Sequence, residues 1–149
     1  MASILMVAGE GLPFIKTGGL ADVIGSLPKA LTERGHEVKV VMPLYKKISD
    51  KYYNELHFDC EYSVSINYHE VPVRVFSKVV DNVCFFFIQH QGYFERDSLY
   101  GYQDDGERFG YFQKAVIEML NQLNYWPNII HCHDWHTGMI PCMVKETHD

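Results

Sequence analysis

Two short segments of the sequence carry residue types that can do chemistry. The first, residues 16–22, reads K-T-G-G-L-A-D and places a lysine, two adjacent glycines and an aspartate together. Glycines at a turn from strand to helix let backbone N–H groups approach a ligand, and the N-terminus of a helix favours an anion. Lys16 adds a full positive charge at that turn. The segment therefore predicts a phosphate or diphosphate site.

The glycine spacing leaves this interpretation open. It matches neither G-x-G-x-x-G nor G-x-x-x-x-G-K-[ST], so neither the dinucleotide fingerprint nor the P-loop applies. The alternative is a tight turn without a ligand. Thr17 or Gly19 would then cap the helix, Asp22 would be a first-turn acid and Lys16 would be solvated.

The second segment, residues 131–136, reads H-C-H-D-W-H and follows a strand-like run. A carboxylate flanked by imidazoles can orient a substrate hydroxyl or stabilise developing positive charge. In open α/β sheets, ligands bind beyond the carboxyl ends of the strands, and both segments occupy such ends. The alternative is that His131 and His133 share one strand face and are ordinary hydrogen-bonded residues.

Zinc binding is a competing interpretation of the second segment. Zinc hydrolases of the metallo-β-lactamase type use H-x-H-x-D-H, whereas this sequence has H-x-H-D-x-H, with Trp135 at the position of the aspartate. A shift of one residue turns a ligand away from the metal, and geometry rather than composition makes a zinc site. We therefore expect no metal at this cluster.

A β-α-β unit positions the first segment. The apolar run at 3–8 predicts a buried strand, and apolar residues at helical spacing over 20–31 predict a helix that ends at Gly35. Residues 38–43 predict a second strand stopped by proline. The crossover between two such parallel strands should be right-handed.

Pro28 conflicts with the helical pattern that surrounds it. Proline inside a helix removes a backbone hydrogen bond and costs about 3 kcal/mol. We therefore expect either a kink at Pro28 or a helical restart capped by Ser26.

The hydrophobic pattern changes twice in the rest of the chain. Alternating residues over 59–89 predict antiparallel hairpins, inserted in or added to the edge of the sheet, and residues 91–106 predict a long polar loop. A helical face follows over 109–123, then a strand at 128–133, and another helix from Thr137. The fold class is therefore α/β: a Rossmann-like, doubly wound and mostly parallel sheet with a β-hairpin insertion.

Composition excludes several classes of protein. A net charge of −6 without a Lys/Arg cluster gives no footprint for nucleic acid, and no apolar run is long enough to span a membrane. The first strand begins next to Met1 without the flanks of a leader peptide, so we expect a cytoplasmic protein. The four cysteines, Cys60, Cys84, Cys132 and Cys142, form no C-x-x-C pair and are interpreted as reduced core residues.

Four segments together resemble one family. Residues 10–31, 35–45, 102–109 and 130–138 are similar, in this order, to motifs of bacterial glycogen synthases and plant starch synthases. Even Pro28 is shared with that family, whereas Gly9 stands where the family usually has serine. The resemblance covers essentially the whole chain.

The resemblance implies a retaining glycosyltransferase of the GT-B fold, with its active site between two Rossmann-like domains. Such an enzyme transfers glucose from ADP-glucose to the non-reducing end of an α-1,4-glucan and needs no further cofactor. The site residues that it implies are Asp22 and Asp134 for catalysis, and Lys16, Gly18, Gly19 and His136 for substrate binding.

The length of the chain limits this expectation. Residues 1–149 would form the N-terminal, acceptor-side domain, in truncated form, and the nucleotide-binding domain would lie beyond Asp149. We therefore expect a fragment without activity of its own, with the missing domain of the same chain as a partner. The alternative is a naturally short module that binds a glucan or a sugar nucleotide without catalysis.

Overall fold

One mixed sheet with helices around it forms the protein, and the computed structural model describes residues 1–148 of the chain. Asp149, the last residue of the expected domain, lies outside the described residues. The strands are β1 (Ser3–Val7), β2 (Glu37–Pro43), β3 (His57–Ile66), β4 (His69–Val80), β5 (Val83–Gln89) and β6 (Ile129–Cys132). The helices are α1 (Gly19–Glu33), α2 (Lys46–Tyr52), α3 (Gln91–Phe94), α4 (Asp105–Gln122) and α5 (Ile140–His148), with 3-10 turns at Tyr53–Glu55 and Trp135–Thr137.

The sheet has the strand order β3-β4-β5-β2-β1-β6. Strands β5, β2, β1 and β6 pair in parallel, whereas β3, β4 and β5 form an antiparallel meander at one edge. The predicted α/β class, the β1-α1-β2 unit and the antiparallel addition are therefore confirmed. Strand β5 belongs to both parts, because it ends the meander and also pairs in parallel with β2.

The register of the parallel strands brings the two chemically interesting segments together. Val7 at the end of β1 pairs with Val41 of β2 on one side and with Cys132 of β6 on the other. Since parallel strands end at the same edge of a sheet, the chain leaves β1 and β6 side by side. The N–H of His133 donates to the carbonyl of Val7 at 3.0 Å and prolongs this contact beyond the strands.

Helices cover both faces of the sheet. Phe14, which precedes α1, packs its ring edge-on against Phe85 and Phe87, with ring centroids 5.0 and 4.9 Å apart. The hydroxyl of Tyr62 donates to the carbonyl of Ala115 in α4. Since successive strand residues point to opposite faces, the strand register places Tyr62 and Phe85 on opposite sides of the sheet. The core is therefore doubly covered, as the fold class requires.

Helix α1 runs without interruption through Pro28. The prediction of a restart capped by Ser26 is wrong, because the Ser26 hydroxyl donates to the carbonyl of Asp22 within the same helix, at 2.9 Å. Pro28 is buried against the sheet, so tertiary packing offsets the lost backbone hydrogen bond. Gly35 follows the helix with φ of 91°, the left-handed conformation expected of a glycine that ends a helix.

Two predicted boundaries are wrong. The polar segment 91–106 contains the short helix α3, and α4 already begins at Asp105. After β6, a 3-10 turn precedes α5, which begins at Ile140 rather than at Thr137. The N–H of Met139 donates to the side-chain oxygen of Gln113 in α4, at 2.6 Å, and this long-range contact helps to fix where α5 starts.

The cysteines are free thiols in the structure. Cys60, Cys84 and Cys132 are half-buried, but Cys142 is exposed on α5, so the interpretation of all four as core residues is wrong for Cys142. No helix among residues 1–148 is both long and apolar enough to cross a bilayer.

The aromatic side chains of β5 pack in the core, so removing one of them should lower the stability of the fold. Phe87 is fully buried, so Phe87→Ala should lower the free energy of unfolding by about 3–5 kcal/mol. Urea unfolding followed by circular dichroism measures this change. Tyr68→Ala is the matched control, because the Tyr68 ring is fully exposed and its loss should change stability by less than about 0.5 kcal/mol. Equal effects of the two substitutions would contradict the assignment of the core.

Candidate active site

The loop after β1 is organised by the carboxylate of Glu10. Its Oε2 accepts the N–H groups of Thr17 and Gly18 at 2.8 and 3.0 Å, and its Oε1 accepts the hydroxyls of Thr17 and Tyr100 at 2.6 and 2.9 Å. Glu10 is only 3% exposed. Burial of this carboxylate raises its pKa, but the hydrogen bonds from Thr17, Gly18 and Tyr100 outweigh burial, and the pKa of Glu10 lies below its ordinary value. Glu10 is therefore a buried anion that fixes the loop.

The N-terminus of α1 is open beside this loop. The N-cap of α1 is Gly18, so the alternative prediction of a cap at Thr17 or Gly19 is wrong. Because Gly18 has no side chain, no side-chain bond caps the helix. Glu10 already accepts the N–H of Gly18, which leaves the first-turn N–H groups, from Gly19 onward, without an acceptor inside the helix. A Cβ added at Gly19 would meet no atom of the described residues within 4 Å, so the surface at the start of the helix is open at this position.

Lys16 and Asp22 form an ion pair at the entrance to this space. The Lys16 ammonium donates to both carboxylate oxygens of Asp22 at 2.8 Å. Lys16 is thus paired and not simply solvated, as the alternative interpretation had it. Both side chains are about half exposed, and an ion pair this exposed contributes little to stability. Lys16 can therefore exchange Asp22 for a more strongly charged ligand at low cost.

The loop after β6 holds Asp134 in an unusual backbone conformation. Asp134 has φ of 65° and ψ of −171°, a region that residues other than glycine rarely adopt and that costs about 1–3 kcal/mol. Its carboxylate accepts the N–H of Trp135 at 2.8 Å, and the hydroxyl of Thr137 donates to the carbonyls of His133 and Asp134. The surrounding bonds therefore hold an exposed carboxylate in one place, at the carboxyl end of β6.

His136 lies beneath this loop and is 2% exposed. Its ring centroid lies 4.5 Å from that of Tyr100 and 4.9 Å from that of Phe109. Neither ring nitrogen has a hydrogen-bond partner among the residues that the structure describes. Burial lowers the pKa of His136, so the imidazole is neutral near pH 7 and offers one donor and one acceptor. A Cβ on Gly9 would lie 2.7 Å from His136 Cγ, so the ring fills the space beside that glycine.

Tyr100 connects the two loops, and sequence reasoning missed it. Its hydroxyl reaches Glu10 in the first loop, while its ring packs on His136 in the second. Arg108 in α4 holds the segment that carries Tyr100: this buried guanidinium donates to the carbonyls of Tyr93 and Leu99 at 2.7 and 3.0 Å. An arginine inside an otherwise apolar helical face was a usable signal for this role, whereas nothing in the spacing singled out Tyr100.

The predicted site residues therefore meet in two groups. Lys16, Gly18, Gly19 and Asp22 lie at the start of α1, and Asp134 and His136 lie after β6. Within the described chain, no hydrogen bond joins Asp134 directly to Lys16 or Asp22. The two groups are connected instead through the series Glu10, Tyr100 and His136.

The other two histidines of the second segment lie next to each other on β6 and just after it. His131 and His133 do share one strand face, with ring centroids 4.0 Å apart, and burial lowers the pKa of His133 to about 4. Across residues 1–148, no three histidine, cysteine or acidic side chains are arranged to hold a metal ion.

The fold and the site define a Rossmann-like domain with an open helix N-terminus and a fixed carboxylate at neighbouring strand ends. Residues 3–149 match the family model described as the starch synthase catalytic domain. The chain therefore belongs to this family of glycosyltransferases.

Known relatives agree with this assignment. The chain is 47% identical over 142 residues to a glycogen synthase of Clostridium kluyveri and 46% identical over 143 residues to one of Streptococcus agalactiae. These matches cover 95% and 96% of this chain, which spans about 30% of the length of either relative. Among solved structures, the catalytic domain of starch synthase IV from Arabidopsis thaliana, bound to ADP and acarbose, matches with a TM-score of 0.88 and 33% identity. That match covers 99% of this chain and 31% of the other.

The role of Glu10 gives a prediction about pH. The pKa of Glu10 lies below its ordinary value of 4.5 in the folded protein, so ionised Glu10 stabilises the fold above pH 4.5, and this contribution is lost as the pH falls through the folded-state pKa. Glu10→Gln should therefore be less stable than the wild type by about 1.5–3 kcal/mol at pH 7, and by less below pH 4. Urea unfolding of both proteins between pH 7 and pH 3 tests this. A difference that stays constant over this range would contradict the role of the carboxylate.

Proposed function

We propose that this chain is the acceptor-side domain of a retaining glucosyltransferase that transfers glucose from ADP-glucose to the non-reducing end of an α-1,4-glucan. The observation that carries the proposal is the pairing of an open, glycine-rich helix N-terminus and Lys16 with the fixed carboxylate of Asp134 at adjoining strand ends. Family membership and the ADP bound to the starch synthase IV domain support the same donor class. The expected compartment is the cytoplasm, which fits the free cysteines.

The helix N-terminus would act on the leaving group. As the bond from glucose to ADP breaks, negative charge collects on the diphosphate. The first-turn N–H groups of α1 and the Lys16 ammonium lie where they can stabilise this charge. Asp22 would keep Lys16 oriented at the entrance until the diphosphate takes its place. These groups raise the rate because their interactions strengthen as the transition state forms.

The loop after β6 would act on the sugar. Asp134 presents an exposed carboxylate that can orient the glucosyl unit or the acceptor hydroxyl next to positive charge that develops on the sugar ring. The neutral His136 ring has a donor and an acceptor nitrogen without partners among residues 1–148, but both are buried, so a sugar hydroxyl would reach them only after the loop moves. Removing such partners from water makes each contact stronger than it would be on an open surface.

The remaining contacts to the nucleotide would come from a second domain. This chain spans about 30% of the length of its curated relatives. The proposal therefore places the base-binding residues, and the choice of ADP-glucose over UDP-glucose, outside residues 1–149.

The charge of Lys16 gives the direct test of the donor site. Lys16→Ala should weaken binding of ADP-glucose to this chain at least tenfold, because a charge-assisted hydrogen bond contributes about 1.5–3 kcal/mol. Isothermal titration calorimetry measures the change. Lys29→Ala is the matched control, since Lys29 is exposed on the same helix, ten residues beyond Gly19. Unchanged affinity in Lys16→Ala would show that the diphosphate does not bind at this helix.

The division of the site between two domains predicts the activity of the chain alone. The 149-residue chain should show no glucan elongation from ADP-glucose, even at a donor concentration that saturates its own site. Incorporation of radiolabelled glucose into glycogen measures this. Elongation by the chain alone would overturn the proposal that half of the active site lies elsewhere.

A further inference from the structure

Arg96 lies outside both predicted segments, in the polar stretch between β5 and α4. We propose that it is a positioning residue of the candidate active site. With Asp104 it closes the loop of residues 97–103, which we name the Tyr100 loop, and so holds Tyr100 against the loops after β1 and β6. The closure rests on contacts within this chain, whereas its effect on a sugar nucleotide rests on the proposed function.

A double ion pair joins the two ends of the Tyr100 loop. Arg96 Nη1 donates to Asp104 Oδ1 at 2.6 Å, and Arg96 Nη2 donates to Asp104 Oδ2 at 2.7 Å. Two parallel bonds of this kind fix the orientation of both planar groups as well as their distance. The Arg96 and Asp104 side chains are 24% and 34% exposed, so water screens this pair less than the half-exposed pair of Lys16 and Asp22.

The guanidinium of Arg96 is also held on its third side. Its Nε donates to the carbonyl of Gly92 in α3 at 2.9 Å, so each of its three nitrogens has an acceptor. A lysine has a single nitrogen and could not reproduce this pattern. Arg96 therefore ties the Tyr100 loop to α3 as well as closing it.

The ring of Tyr102 connects the closure to α4. The guanidinium carbons of Arg96 and Arg108 lie 4.8 and 4.9 Å from its centroid, a distance at which a cation is attracted to an aromatic ring. The Tyr102 hydroxyl accepts the N–H of Ser98 at 3.0 Å. The Tyr100 loop therefore packs around one of its own side chains, and that side chain contacts the arginine that closes the loop.

Helix α4 holds the backbone on both sides of Tyr100. Arg108 Nη1 donates to the carbonyl of Leu99 at 3.0 Å and to Oδ1 of Asp105 at 2.7 Å. Asp105 Oδ2 accepts the N–H of Gly101 at 2.8 Å. Gly101 has φ of 92°, a left-handed conformation that suits glycine, so the chain turns sharply directly after Tyr100. In the closed loop, Tyr100 is therefore presented to the candidate active site in one orientation.

Tyr100 carries the effect of the closure to the site. Its hydroxyl donates to Glu10 at 2.9 Å, and its ring centroid lies 4.5 Å from that of His136. Within residues 1–148, the hydrogen bonds and the ion pair of Arg96 go to Gly92 and Asp104 and not to a predicted site residue. Arg96 therefore acts on the site through Tyr100.

Polar contacts decide whether the Tyr100 loop is closed, because little of it is buried. Among residues 97–103, Leu99 alone is buried, and Asp97, Ser98, Gly101 and Gln103 are exposed. Segments with few buried apolar contacts open at a low cost in free energy. A ligand that needs the closed loop binds with an affinity reduced in proportion to the closed fraction. Loss of the ion pair should therefore weaken binding without removing a contact to the ligand.

The ionisation of Tyr100 tests the closure. Burial and the Glu10 carboxylate raise the pKa of Tyr100 above its ordinary value. In Arg96→Ala the loop should open, and both causes should weaken together, so Tyr100 should titrate near its ordinary pKa of about 10. In the wild type it should stay protonated to about pH 11. Carbon-13 spectra of the labelled tyrosines measure this, and Tyr100→Phe assigns the signal.

Two further variants separate the ion pair from a general loss of stability. Asp104→Ala breaks the same pair and should have the same effect on Tyr100; the Asp104 side chain makes no capping bond to α4. Combining it with Arg96→Ala should add nothing, because both substitutions remove one interaction. Lys78→Ala is the matched control, since Lys78 is 25% exposed and pairs with Glu55 on another part of the surface. It should leave the titration of Tyr100 as it is in the wild type.

ADP-glucose binding tests whether the closure matters to the site. Arg96→Ala should weaken binding to this chain roughly fivefold or more in isothermal titration calorimetry, and Lys78→Ala should not change it. A pKa of Tyr100 that is the same in Arg96→Ala and in the wild type would overturn the role of Arg96. Wild-type affinity in Arg96→Ala, with Tyr100 titrating, would overturn it as well. If the wild type fails to bind ADP-glucose, the proposed function fails, but titration of Tyr100 in Arg96→Ala would still support the closure.

Discussion

The carboxylate of Glu10 is the constraint on which the candidate site depends. It is buried and ionised, and it is satisfied by donors from three directions: the backbone of Thr17 and Gly18, the hydroxyl of Thr17, and the hydroxyl of Tyr100. A buried charge of this kind tolerates few arrangements of its partners, because the loss of any one leaves an unpaired charge. The loop after β1, the start of α1 and the segment around Tyr100 are therefore fixed relative to one another before any ligand binds.

This arrangement determines which N–H groups at the N-terminus of α1 remain without an acceptor. Glu10 takes the N–H groups that precede the helix, and so the groups that follow remain for a ligand, with Lys16 at their entrance. Through Tyr100 and His136 the same arrangement reaches the loop of Asp134, whose strained backbone is held by its own hydrogen bonds. Under the proposed function, two loops that one buried network aligns would supply anion stabilisation and sugar orientation, which is the preorganisation that a group-transfer site requires.

The sequence predicted those parts of the fold that local pattern determines. Period-2 and helical spacing predicted the β1-α1-β2 unit and the antiparallel meander, and the motif at 16–22 lies between β1 and α1 as predicted. Contacts between residues far apart in the chain were not predictable in this way. The bond from Tyr100 to Glu10 spans 90 residues, and the contact that places α5 spans 26. The helical restart at Ser26 was wrongly predicted for the same reason, because the burial of Pro28 outweighed a local rule.

Whether the loops after β1 and β6 form one binding site is tested most directly by a titration of the ¹⁵N-labelled chain with ADP-glucose. The account predicts that the amides of Gly19 to Ala21 and those of Asp134 to Thr137 shift together and follow a single dissociation constant. Shifts confined to one of the two loops, or two loops that saturate at different ADP-glucose concentrations, would contradict it.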